Sequence, residues 1–121
     1  MIYYSCAIEA VTGVGLIISP VKLVSLIFGS SLTETSGIAV SMVAGVAILS
    51  LAFIWWMLRF TSLNIIFRSL FFYNAILSLI LIYILIMYKI EGPVIWIILV
   101  FHLLQSLLSA VQLNRKQTTD R

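Results

Sequence analysis

The sequence predicts an all-α integral membrane protein, a four-helix bundle with one short interfacial helix. Hydrophobic residues make up 63% of the 121 residues, charged residues make up 9%, and the mean hydropathy is +1.21. Soluble domains have a much more polar composition. The apolar residues form four long continuous stretches, and short polar segments separate them. Continuous stretches predict helices, because the strands of a membrane barrel alternate apolar and polar residues.

Each apolar stretch is long enough to cross a bilayer as a helix, since a hydrocarbon core about 30 Å thick takes roughly 20 helical residues. Four spans leave little of the chain for loops, so we expect a single transmembrane domain over residues 1–121. The predicted spans are residues 2–19, 37–58, 65–88 and 93–113.

Residues 20–28 follow the first predicted span and begin with Pro20. Lys22, Ser25 and Gly29 fall near one helical face, and the other residues are mostly apolar. This pattern predicts a short interfacial helix or a kinked continuation of the first span.

The basic residues predict the orientation, because Lys and Arg are retained on the cytoplasmic side. With four spans, both termini and the second joint share one side. That side would hold Arg59, Arg68, Arg115, Lys116 and Arg121, against Lys22 and Lys89 on the other. We therefore expect both termini to be cytoplasmic. The net charge of +3 is too small and scattered to predict binding of nucleic acid.

Glu9 is the most informative polar residue, because an ionised carboxylate at the centre of a membrane helix costs about 2.5–3.5 kcal/mol. Counting 1.5 Å per residue from the cytoplasmic helix ends puts Glu9 at a depth similar to those of polar residues in the third and fourth spans. The predicted intramembrane polar cluster is Glu9, Tyr73, Asn74, His102 and Gln105.

Two interpretations of this cluster stay open. Glu9 and His102 could pair and then bind a cation or pass protons. Alternatively, the polar side chains simply form interhelical hydrogen bonds worth around 1 kcal/mol each. One His and one Glu supply too few ligands to predict a metal site, and the sequence assigns no cofactor.

Small residues predict where helices approach closely. Gly37, Ser41 and Gly45 recur at intervals of four in the second span, while Gly13 and Gly15 lie in the first. These positions could pack within the chain or against another chain. Trp55 and Trp56, at the end of the second span, are expected to be aromatic anchors at the membrane interface.

A first resemblance rests on short patterns spread over most of the chain. These are the run of residues 9–29 with its glycines and Pro20, residues 43–47, Tyr73–Asn74, and residues 92–96 followed by His102. The chain resembles small uncharacterised bacterial four-span proteins of the DoxX-like group. The resemblance implies a bacterial cytoplasmic membrane and no established activity.

A second resemblance is to the small multidrug resistance transporters, four-span chains of similar length with a glutamate in the first helix. It implies that Glu9 couples protons to substrate, with Tyr3 or Tyr4 nearby. The sequence departs from that family in the third span, which has no glycine between Asn64 and Tyr88.

The leading functional hypothesis is a non-enzymatic accessory or structural subunit that packs in the bilayer with other membrane subunits or with itself. One alternative is a small proton-coupled transporter of hydrophobic cations that uses Glu9. Another is an intramembrane protein that binds a quinone, a haem or a lipid in the polar cluster. An enzyme is not predicted, because the sequence offers no paired carboxylates, no nucleophile with its base and no metal triad.

Overall fold

The protein is all-helical over the part of the chain that the computed structural model describes, residues 1–89 and 92–119, without the side chains of residues 116–119. This confirms the predicted all-α class. Arg121 and the side chain of Lys116, both used to predict the orientation, lie outside the described residues. The helices are α1 (Ile2–Ile18), α2 (Pro20–Phe28), α3 (Thr35–Leu58), α4 (Leu63–Tyr88) and α5 (Ile95–Thr119).

Helices α3, α4 and the part of α5 up to Arg115 are long and apolar enough to cross a membrane. Helix α1 is also apolar, but its 17 residues make it shorter than these three. The protein therefore has the character of an integral membrane protein.

The helix bounds differ from the predicted spans mainly at α5. We expected the last span to begin at residue 93, but Pro93 lies in a turn and the first helical residue is Ile95. The amide of Ile98 bonds the carbonyl of Val94, so Val94 caps the helix. At the other end α5 continues past residue 113 to Thr119. The residues after 113 are polar, so hydropathy does not predict them as part of the span, but polar residues such as Gln, Lys and Arg are good helix formers.

A sharp bend at Ser19 separates α1 from α2. Ser19 has φ −141° and ψ 61°, outside the helical region, and Pro20 then begins the new helix at a position where its missing N–H does no harm. The bend folds α2 back, so that the side chain of Leu23 packs against Gly15. Helix α2 ends at Gly29, whose φ of 73° is the left-handed cap that glycine adopts readily.

Helices α1 and α3 pack closely at a pair of glycines. A Cβ atom added to Gly13 would lie 2.8 Å from the carbonyl oxygen of Gly45 and 2.9 Å from the backbone nitrogen of Leu49. A Cβ added to Gly45 would lie 2.7 Å from the carbonyl oxygen of Gly13. Only hydrogen fits at either position, so these two glycines set the distance between the helices.

The other small residues that we expected in helix packing have different neighbours. Gly15 faces Leu23 of α2, and Gly37 faces Leu32 in the segment before α3. Ser41 is half-buried.

Helices α4 and α5 form the second close pair, packed around the buried side chains of Leu81, Ile95 and Leu99. Gly92, in the joint between them, lies directly against the backbone of Ile27 and Phe28 and leaves no room for a side chain. Gly92 and the end of α2 therefore occupy the same end of the molecule, opposite the joint between α3 and α4.

Large side chains fill the space between the α1/α3 pair and the α4/α5 pair. Cys6, Trp55, Ile66 and Leu70 form a buried cluster there. The indole nitrogen of Trp55 also donates a hydrogen bond of 2.9 Å to the hydroxyl of Ser69. The two pairs thus meet through long side chains rather than through close backbone contact.

We expect Gly13→Ala to destabilise the protein by about 1–3 kcal/mol, because its methyl group would push two backbones apart. Gly15→Ala is the matched control on the same helix, since its added Cβ would meet only the movable end of the Leu23 side chain. Thermal denaturation of both variants in detergent measures the difference. Equal midpoints for Gly13→Ala and the native protein would contradict the close packing of α1 on α3.

Candidate functional site

The interior of the protein is unusually polar, while the outer surface is apolar. Large hydrophobic side chains are exposed along all five helices. This inverted pattern suits a protein whose surroundings are lipid, where polar groups must find partners inside. The buried polar residues are Ser5, Glu9, Asn74, Ser78, His102, Gln105 and Ser109.

Five residues make up the polar layer, the name used below for Glu9, Tyr73, Asn74, His102 and Gln105. Glu9 comes from α1, Tyr73 and Asn74 come from α4, and the other two come from α5. Helix α3 supplies no member. The polar layer therefore lies where α1 faces the α4/α5 pair.

Glu9 is tied to α4 through Tyr73. The carboxyl group of Glu9 is almost fully buried, with 4% of the residue exposed, and it accepts a hydrogen bond of 3.0 Å from the hydroxyl of Tyr73. The ring of Tyr73 packs edge-on against Trp55 at 5.5 Å and against His102 at 5.9 Å between ring centroids. These contacts hold the tyrosine in place on both sides, so its hydroxyl is directed at the carboxyl group.

Asn74 and His102 form a second polar pair, between α4 and α5. The side-chain oxygen of Asn74 lies 2.6 Å from Nδ1 of His102, and the Asn74 amide group donates a 2.6 Å hydrogen bond to the carbonyl of Leu70. The Leu70 carbonyl can only accept, so the amide nitrogen must face it and the amide oxygen must face the ring. Nδ1 of His102 therefore carries the hydrogen atom and donates a hydrogen bond to the side-chain oxygen of Asn74.

Glu9 and His102, whose pairing was one of the two open interpretations, each bond a different residue. Glu9 bonds Tyr73, His102 bonds Asn74, and the ring of Tyr73 packs beside that of His102. The tyrosine hydroxyl extends far enough from α4 to reach the carboxyl group. The carboxylate and the imidazole thus belong to separate hydrogen-bonded pairs, and Tyr73 contacts both groups.

Gln105 is buried on the same face of α5 as His102 but takes no part in either pair. It is 7% exposed, and its side-chain oxygen has no hydrogen-bond partner among the described residues. A buried amide oxygen without a donor is unfavourable by about 1–3 kcal/mol. The polar layer therefore contains one open acceptor beside its two satisfied pairs.

The buried serines complete the interior without joining the polar layer. Ser78 donates to the carbonyl of Asn74 at 2.7 Å, and Ser109 donates to the carbonyl of Gln105 at 2.7 Å. Each bond runs back four residues along its own helix, as serine commonly does in apolar surroundings. Each hydroxyl therefore has a hydrogen-bond partner in its own helix, and its small side chain lets neighbouring helices pack closely.

The position of Trp55 differs from the one predicted from the sequence. We expected an interfacial anchor, but Trp55 is 1% exposed and packs in the core beside Tyr73, whereas Trp56 is 44% exposed. The signal was present in the spacing, since Gly45, Ala52 and Trp55 all lie on one helical face. That face is the buried face of α3.

The polar layer contains one carboxyl group, that of Glu9, which can take up or release a proton and is hydrogen-bonded by the hydroxyl of Tyr73. It offers no group of three His, Cys, Asp or Glu side chains that could hold a metal ion within the described residues.

The chain matches no family model, and it is significantly similar to no curated protein and to no solved structure. Its resemblances to DoxX-like proteins and to small multidrug resistance transporters therefore stay predictions from the sequence.

Proposed function

We propose that the protein is a non-enzymatic accessory subunit of a larger membrane assembly, with α1, α3, α4 and α5 as its four spans and α2 at the membrane surface. The 17 residues of α1 measure about 26 Å at 1.5 Å per residue, close to the thickness of the hydrocarbon core. Close packing on α3 supports a similar depth for α1. The basic residues favour cytoplasmic termini, in a bacterial cytoplasmic membrane.

The observation that carries this proposal is the way the polar groups are used. Tyr73 bonds Glu9, His102 bonds Asn74, and the serines bond their own helices. These groups therefore act mainly within the chain: one bond joins the two helix pairs, one joins α4 to α5, and the serine bonds stay within single helices. The surface left for recognition is apolar helix, which suits contacts with other membrane helices.

Helix α3 is the favoured contact for such a partner because it is the least covered span. Only 11% of its most apolar 18-residue window is buried, against 28% for α5. Its buried residues are Gly45, Ala52 and Trp55, and its remaining faces carry exposed side chains such as Val43 and Phe53. Most of the surface of α3 is therefore exposed in a single chain.

Native mass spectrometry after gentle extraction from the native membrane tests the accessory role. We expect the protein to be found with other subunits, and we expect Val43→Trp on α3 to reduce their recovery. Leu107→Trp on α5 is the control at an exposed position of another helix. A lone monomer under gentle conditions would contradict the proposal, and a copurifying quinone or haem would favour the intramembrane binding alternative.

A second candidate function, proton-coupled transport of hydrophobic cations, is favoured by one observation. Glu9 is a carboxyl group buried in a membrane helix, and a neutral tyrosine is its hydrogen-bond partner. No basic side chain among the described residues forms an ion pair with Glu9. Such a carboxyl group could gain and lose a proton during a transport cycle.

The transport hypothesis predicts that Glu9→Gln abolishes proton-driven movement of a hydrophobic cation in proteoliposomes while the protein still folds. The glutamine keeps the size and an acceptor for Tyr73 but loses the titratable proton. Glu34→Gln is the matched control, because Glu34 is exposed before α3. Transport at the native rate by Glu9→Gln would exclude this function.

A further inference from the structure

A groove of about 290 Å³ runs along the outer side of the α1/α3 pair. Each helix contributes four residues at helical spacing, so the groove extends over about two turns, roughly 10 Å. The groove exists because several of the side chains that line it are small, including Ala7, Ala10 and Ala52, and larger side chains border it. The lining residues are Tyr3, Cys6, Ala7, Ala10, Leu49, Ala52, Phe53 and Trp56.

One end of the groove is aromatic and lies beside a cation. Tyr3 and Trp56 pack edge-on there, with 5.7 Å between their ring centroids. The guanidinium group of Arg59 lies over the Trp56 ring at 3.7 Å and over the Phe60 ring at 4.4 Å. Tyrosine, tryptophan and arginine together are typical of the level of lipid headgroups. The groove therefore runs from the membrane interface towards the hydrocarbon core.

Arg59 is held at this position but keeps hydrogen-bonding capacity. It donates one terminal N–H group to the carbonyl of Trp56, and its Nε atom is buried, so a ligand would meet the other terminal N–H groups. Neither Glu9 nor Glu34 forms an ion pair with it. A guanidinium group held over two aromatic rings in this way is suited to a phosphate, which it can bind with more than one N–H group.

We propose that the groove and Arg59 form a binding site for one anionic phospholipid, with an acyl chain along the alanine-lined groove and the phosphate at Arg59. Acyl chains gain little from leaving other lipid tails, so the groove contributes shape while Arg59 contributes the preference for an anionic headgroup. The site depends on α1 and α3 lying in the bilayer. It is independent of the accessory role.

Lipid titration followed by native mass spectrometry tests this site, with palmitoyl-oleoyl phosphatidylglycerol and phosphatidylcholine as probes. We expect the native protein to bind phosphatidylglycerol more tightly, and we expect Arg59→Gln to lower that affinity about fivefold, the effect of roughly one basic residue near a membrane surface. Arg59→Lys keeps the charge and should retain most of the preference. Lys22→Gln, at the opposite end of the molecule, should leave it unchanged.

A second variant tests the groove separately from the charge. Ala7 lines the groove and is exposed, so Ala7→Leu fills the space without entering the core, and we expect it to weaken binding of both lipids. The proposal is overturned if the native protein binds the two lipids equally, or if Arg59→Gln keeps the full preference. It is also overturned if Ala7→Leu leaves lipid binding intact and instead disrupts a dimer, because a second copy would then occupy the groove.

Discussion

Hydrogen bonding between the two helix pairs is the constraint on which the rest of the structure depends. Apolar surface alone gives helices little reason to associate in lipid, since the tails are as apolar as leucine. The bond from Tyr73 to Glu9 joins α4 to α1, and the bond from Trp55 to Ser69 joins α3 to α4. Such bonds have no competition from water in a bilayer. They fix which faces of the two pairs meet.

Close packing and hydrogen bonding have separate tasks in this chain. Gly13 and Gly45 bring α1 and α3 together, and Asn74 bonds His102 where α4 and α5 pack. Ala7 and Ala10 on α1 are also small, and with Ala52 of α3 they line the groove on the α1/α3 pair. Small residues of α1 thus shape both its contact with α3 and the groove.

Much of the helical layout could be predicted from the sequence. Apolar windows, Pro20 and the polar joints define where helices begin and end, because each has a direct physical effect on the backbone. Hydropathy could not define the end of α5, since Asn114 and Arg115 continue the helix as polar residues. Counting residues from the helix ends predicted which polar residues lie at a similar depth in the membrane. It did not predict which hydrogen-bond partner each residue has. Partner choice depends on helix rotation and side-chain reach, as Tyr73 illustrates.

Hydrogen bonds between the two helix pairs hold this protein together, and a double-mutant cycle on Glu9 and Tyr73 measures their contribution. Folding free energies of Glu9→Ala, Tyr73→Phe and the double variant, measured in a bilayer, isolate the energy of the pair from lost packing. We expect a favourable coupling of about 0.6–1.7 kcal/mol, from the average to the maximum for interhelical hydrogen bonds in membranes. A coupling of zero would contradict this role of the hydrogen bonds.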